Sequence, residues 1–178
     1  PKVEVSLSYV INENTRELEA KISAKMLQTV FDDIRFNVYI VEDSVSGIGT
    51  GWDQSNYLSN RAGYEENPYY KLPAKIVGYQ HMKVVRKMLG DVWGEKGEFA
   101  TPALNGETYS HTFLYTLDPR WKIKDIHLVG IVQVYTTSNK QILNACYGLP
   151  GVPMFELSSN QPEVKKVVAF GSSFDKLY

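Results

Sequence analysis

The chain has 178 residues, 43% of them hydrophobic and 22% charged, which fits one domain of ordinary size and excludes wholesale disorder. Its 19 basic and 20 acidic residues leave a formal charge of -1, so the basic excess of a dedicated nucleic-acid binder is missing. A single cysteine excludes an internal disulfide and a zinc site of the several-cysteine kind, and no stretch approaches the roughly 18 apolar residues of a membrane helix.

The start, Pro1-Lys2-Val3-Glu4-Val5, has no charged n-region, apolar h-region or cleavage site. A start within a strand and without Met favours excision from a longer precursor. Val3, Val5, Leu7 and Tyr9 alternate with polar residues, which predicts a half-buried strand. Asn12-Glu13-Asn14-Thr15 has turn composition. Leu18, Ala20, Ile22, Ala24 and Met26 then alternate with Glu, Lys and Ser, giving a long second strand and a hairpin. Asp32-Asp33 turns the chain, and Ile34, Phe36, Val38 and Ile40 face one way in a third strand.

Residues 44–78 break the alternation with glycines, two prolines, several Asn and Ser, and five aromatics. A loop of that length inside a compact domain is usually functional or mobile. Tyr79 to Leu89 is readable at either period, and its strand neighbours favour a strand. Gly90 to Asn105 reads as a second loop carrying Trp93 and Pro102. Tyr109, His111, Phe113, Tyr115 and Leu117 share one face of a further strand, which Asp118-Pro119 ends. Ile126 to Tyr135 is apolar on both faces, as for a central strand, and Gln141 to Leu149 returns after a turn. Pro150 to Pro162 is irregular, and Val164 to Phe170 suggests one last strand. The pattern predicts an all-β fold, an immunoglobulin-like antiparallel β-sandwich of seven to eight strands with one long aromatic-rich loop. The sandwich domain spans 1–149, and 150–178 is a C-terminal extension packed on it.

No catalytic signature emerges. His81, His111 and His127 are scattered, and none has metal-ligand spacing. An enzymatic reading would pair His81 with Glu65 or Asp53, and those two carboxylates are also the nearest approach to metal ligands. Gly47-Ile48-Gly49-Thr50-Gly51 lacks the spacing and the Lys of a phosphate loop. Gly171-Ser172-Ser173 lacks the second Gly of a nucleophile elbow. Cys146 sits in an apolar strand pattern and reads as an inert buried thiol. Lys83, Arg86 and Lys87 read as a solvated strand face, with phosphate or lipid-headgroup contact as the alternative. The expectation is therefore no catalytic residue, no metal and no cofactor.

Trp52, Tyr57, Tyr64, Tyr69 and Tyr70 lie among small polar residues, with His81 just beyond. Tyr and Trp give large contact area at low entropic cost, and the small polar residues adapt to a partner. This mix suits stacking on sugar rings or docking a protein. The competing reading folds the aromatics back to cap the open end of the sandwich.

Four segments carry a likeness: Phe36-Asn37-Val38-Tyr39-Ile40-Val41-Glu42-Asp43; His81-Met82-Lys83-Val84-Val85-Arg86-Lys87-Met88-Leu89-Gly90, closed by Trp93-Gly94; Trp121 to Tyr135; and Gln141-Ile142-Leu143-Asn144-Ala145. Together they resemble the C-terminal domain of the 28-kDa outer-membrane lipoprotein family of Bacteroidetes, from about residue 3 to residue 149. The resemblance implies a β-sandwich on an outer-membrane lipoprotein, anchored through a lipidated Cys upstream, often behind a thioredoxin-like domain. It implies no established catalytic residues, and it hands no residue a role. The resulting expectation is a non-catalytic binding or adhesion module, meeting a protein or glycan at the cell surface or in the periplasm through the 52–70 loop. The alternative is an accessory domain that supports a neighbouring domain of the same chain and has no ligand. Nucleic acid is not an expected partner, and the membrane is met only through the anchor.

Overall fold

A computed structural model describes residues 1–49 and 51–151. The strand expected over Val164 to Phe170, the Gly171-Ser172-Ser173 segment and nearly all of the expected extension lie outside the described residues. Strands β1 (Val3–Ile11) and β2 (Glu17–Met26) form the first hairpin, with Val3 opposite Met26 and Ile11 opposite Leu18. The Asn12 side chain accepts the N–H groups of Asn14 and Thr15 at 3.0 and 3.1 Å, which closes the turn locally. Arg16 follows in the left-handed region (φ 62°). Its guanidinium donates to the carbonyls of Asp118 and Trp121, both at 2.8 Å, and so ties the hairpin turn to the neighbouring segment 118–121.

Strand β3 (Ile34–Glu42) follows, and the ribbon of β4 (Gln54–Ser55) and β5 (Lys75–Ile76) lies inside the long loop. The remaining strands are β6 (Val84–Met88), β7 (Thr108–Thr116), β8 (Ile126–Val134), β9 (Ile142–Tyr147) and β10 (Leu149–Pro150). One sheet runs β10-β1-β2-β7 and the other β6-β3-β8-β9, and the two stack as a sandwich. The sandwich read from the alternation is the architecture found. The short β10 adds one detail, because it lies parallel to β1.

The core is the sum of the inward columns. Leu18, Ala20, Ile22, Ala24 and Met26 of β2 meet Ile34, Phe36, Val38 and Ile40 of β3 and Leu128 and Val132 of β8, all buried. Complete burial of a large aliphatic side chain contributes roughly 1.5–3 kcal/mol, so this interior is the main stabiliser of the domain. β8 lies between β3 and β9, and its outward residues Ile131 and Gln133 are buried as well, with Gln133 donating to the Trp93 carbonyl at 3.0 Å, which is why its sequence is largely apolar on both faces.

Two local readings need correction. The expected strand at Tyr79–Leu89 begins only at Val84, because Gly78 (φ 69°) and Lys83 (φ 58°) take left-handed conformations that interrupt extended backbone. Its pairing with β3 shifts register between Ile40 and Val41, leaving Arg86 as the extra residue of a bulge. Arg86 turns in to pair with the buried Glu42 at 3.2 Å and lies 5.4 Å from the Trp121 ring. The second loop is not a surface connection throughout. Phe99 and Ala103 are core residues, and Phe99 stacks on Phe36 with ring centroids 4.2 Å apart. The loop is fastened by Asn37, whose buried amide donates to the Asp91 carbonyl at 2.7 Å and accepts the Gly90 N–H at 3.0 Å. Gly94 is required where the loop crosses β3. Its φ is +73°, and a Cβ there would come within 2.5 Å of the Phe36 carbonyl oxygen.

Candidate binding loop

The aromatic loop is built from its own hydrogen bonds outward. Asn56 is only 8% exposed, and its Nδ2 lies 2.8, 3.2 and 3.2 Å from the carbonyls of Tyr69, Leu72 and Pro73. Its Oδ1 accepts the Leu58 N–H at 3.1 Å. One side chain therefore clasps the two limbs of the loop, satisfying backbone carbonyls that have no strand partner. The β4–β5 ribbon and an ion pair of 2.8 Å between Asp53 and Lys75 close its base. The Lys75 ammonium, with help from the Gly78 N–H, holds the Asp53 carboxyl below the usual carboxylate range.

A second clasp joins the loop to the sandwich. Val45 and His81 exchange backbone hydrogen bonds at 3.0 and 2.8 Å. The His81 Nε2 lies 2.9 Å from the Trp52 carbonyl oxygen, so Nε2 carries the proton that is donated. The indole of Trp52 rests on the bare backbone of Gly47, where a Cβ would come within 2.3 Å of the ring. Trp52 is thus pinned on one side, and 37% of it stays exposed.

The six residues singled out from the sequence separate into groups. Tyr57 and Tyr69 line a concavity of about 430 Å³ together with Gln54, Asn56, Leu58, Ile76 and Tyr79. Tyr57 is 85% exposed and Tyr69 39%. Trp52 and His81 are joined to each other, and Tyr79 reaches both groups. Its hydroxyl is 3.4 Å from that of Tyr69, and its ring meets the His81 imidazole edge-on at 5.1 Å. The bond to Tyr69, and behind it the charge on that neighbour, pushes the Tyr79 phenol above its ordinary value. Tyr64 instead lies beside the Arg61 guanidinium, 5.1 Å from it, and Tyr70 is half-buried; neither lines the concavity. Trp93 belongs elsewhere, beside Tyr135 and Lys140.

Asn56 and Tyr79 escaped the sequence reading. Tyr79 had a usable signal, being an aromatic at the edge of an aromatic-rich segment, but the strand assignment absorbed it. Asn56 had none, because Asn in a loop is ordinary. The loop aromatics do not fold back as a cap, since four of the five are exposed.

The pairs imagined for an enzyme do not form. Asp53 is held by Lys75, Glu65 accepts the Gly63 N–H at 2.9 Å, and the imidazole of His81 is held by Trp52. The basic cluster is also largely occupied, with Lys83 on Asp43 at 2.8 Å and Arg86 on Glu42. Only Lys87 of the three has no ion pair among the described residues. Cys146 is half-buried beneath Gly130, and burial pushes its thiol up, which suits an inert side chain. A larger groove, about 540 Å³, lies on the other sheet between Val10, Glu19 and Leu114. It carries one aromatic, whereas the smaller concavity gathers three with polar groups between them.

No family model matches the chain, and no curated protein matches it. Among solved structures, the chain is similar to a domain of the outer membrane lipoprotein Omp28 from Porphyromonas gingivalis, at 12% identity and a TM-score of 0.47, covering 85% of this chain and 92% of that one. At that distance no residue of the neighbour assigns a role here, and the functional reading rests on the loop.

Proposed function

We propose that this chain is a non-catalytic binding module of a cell-envelope lipoprotein that holds a protein or glycan ligand in the concavity of its long loop. One observation carries the reading: Tyr57, Tyr69 and Tyr79 surround a concavity whose wall also offers the side chain of Gln54, with Asn56 fixing the backbone behind it. Aromatic faces with an amide group between them are what a sugar ring or an extended peptide uses. The loop below is fixed by Asn56, by Asp53 with Lys75, and by His81 with Trp52, so little ordering entropy opposes binding. The envelope address rests on the segment resemblance alone. A screen of immobilised glycans and extracellular-matrix proteins tests the reading. Retention should fall on Tyr57→Ala with the thermal unfolding midpoint unchanged. Ligand retention indifferent to Tyr57 would remove the concavity from the account.

A second reading is favoured by a different surface. Tyr39, Met88, Val129, Ala145 and Tyr147 share the outward face of the β6-β3-β8-β9 sheet by register. Such a face suits an accessory domain packed on a neighbouring domain of the same lipoprotein. Hydrogen exchange on a longer chain carrying that neighbour should then protect β8 and β9 more than the loop.

A further inference from the structure

We propose that β7 is a self-pairing edge, through which two copies of this chain join their first sheets into one continuous antiparallel sheet. β7 ends its sheet, with β2 on one side and no strand on the other among the described residues. Its register with β2 is regular from Thr108 to Thr116. Glu107 and Leu117 bond toward the β1–β2 hairpin, so the odd residues between them do the same and the even ones point their N–H and C=O outward. At Ser110 that outward pair is already covered. Its carbonyl accepts the Glu98 N–H at 3.4 Å, and its N–H donates to the Glu98 carboxylate at 3.1 Å. At Thr112, Leu114 and Thr116, no hydrogen bond reaches the outward groups among the described residues.

Proteins guard such edges with Lys, Pro, a bulge or a covering segment. The other edges here are guarded: β6 carries Lys87 and a bulge, β9 carries a bulge at Leu143, and β10 covers part of β1. The stretch Thr112-Phe113-Leu114-Tyr115-Thr116 has no charge, no proline and no bulge, and four of its five residues are strong β-formers. It also places the exposed Leu114 (75%) on the open sheet surface.

The pattern selects a second copy as the occupant. With a two-fold axis at Leu114, Leu114 faces its own counterpart and Thr112 faces Thr116, each pair exchanging both backbone bonds. The two leucines then cover each other and the threonines pair across the seam. β2 sets the flanking charges, because Lys21 lies beside Thr112 and Glu17 beside Thr116. Each outer row of the joined sheet therefore has Lys21 of one copy and Glu17 of the other at its two ends. The central row has Glu19 at both ends, held apart by the two leucines. A formal charge of -1 per copy adds little repulsion.

Sedimentation velocity over a dilution series of the 178-residue chain tests this. The sedimentation coefficient should rise with concentration toward that of a dimer. Leu114→Lys places two ammonium groups face to face and should weaken association by roughly tenfold or more, with the circular dichroism spectrum unchanged. Val85→Lys, on the outer face of the other sheet, should associate as the parent does. In a Cys146→Ser background, Leu114→Cys should give a disulfide dimer on mild oxidation, since facing residues of a bonded pair lie about 5.5 Å apart between Cα atoms. A parent chain that stays monomeric at every concentration overturns the proposal. So does a Leu114→Lys variant that associates like the parent, and absence of the cross-link overturns the register.

Discussion

The imidazole of His81 donates to the backbone carbonyl of Trp52 across 2.9 Å, joining residues 29 apart at the two ends of the aromatic loop. The bond fixes where the exposed indole stands, and it sets Nε2 as the protonated ring nitrogen. His81→Ala should cost about 0.5–1.5 kcal/mol, the usual net worth of one hydrogen bond. The loss should appear as faster amide exchange across residues 45–55, while β2 and β8 keep their protection.

Asn56→Ala should be the most disruptive single change inside the loop. It strands carbonyls that the amide now serves and empties a buried position, at a cost of about 1–3 kcal/mol. The core does not depend on Asn56, so limited proteolysis should cut between residues 57 and 73 before the sandwich unfolds. Asn56→Asp should fare no better, because a carboxylate in that place faces carbonyl oxygens and has no proton to donate.

Acid should loosen the loop base before the core. The Asp53 carboxyl is held low by Lys75, so its folded-state pKa lies below the unfolded one. Such a group contributes stability above the unfolded value, near 3.9, and loses it as pH falls through the folded value. The carboxyl of Asp43, held low by Lys83, behaves in the same sense. Amide exchange at Gly78, corrected for intrinsic rate, should therefore accelerate below about pH 4, and Asp53→Asn should flatten that dependence.

Gly94→Ala should destabilise the whole domain. The added methyl meets the Phe36 carbonyl at 2.5 Å in a left-handed backbone conformation. Phe36 anchors the core stack with Phe99, so the strain enters the interior. A cost above about 1 kcal/mol is expected from the backbone conformation alone. The denaturant midpoint should fall, and Gly106→Ala, where open space surrounds the new methyl, should bear a smaller loss.

The sandwich was legible because alternation is a local property. In Leu18 to Met26, every second side chain is apolar, and one face of a pleated strand is all that such a pattern can fill. The aromatic content of the loop was legible for the same reason. The grouping of Tyr57 and Tyr69 with Tyr79, apart from Tyr64 and Tyr70, was not, because it depends on where two limbs of the chain meet. Phe99 in the core and Asn56 at the centre of the loop were hidden likewise, since neither carries a periodic signal.

The amino-acid sequence alone determined the strands, their buried faces and the place of the long loop, through the two-residue repeat of the extended backbone. Tertiary structure alone decided that Asn56 clasps Tyr69, that His81 holds Trp52 and that β7 has a single strand partner among the described residues. Those outcomes depend on hydrogen bonds and strand order between segments far apart along the chain, which no local pattern of side chains encodes.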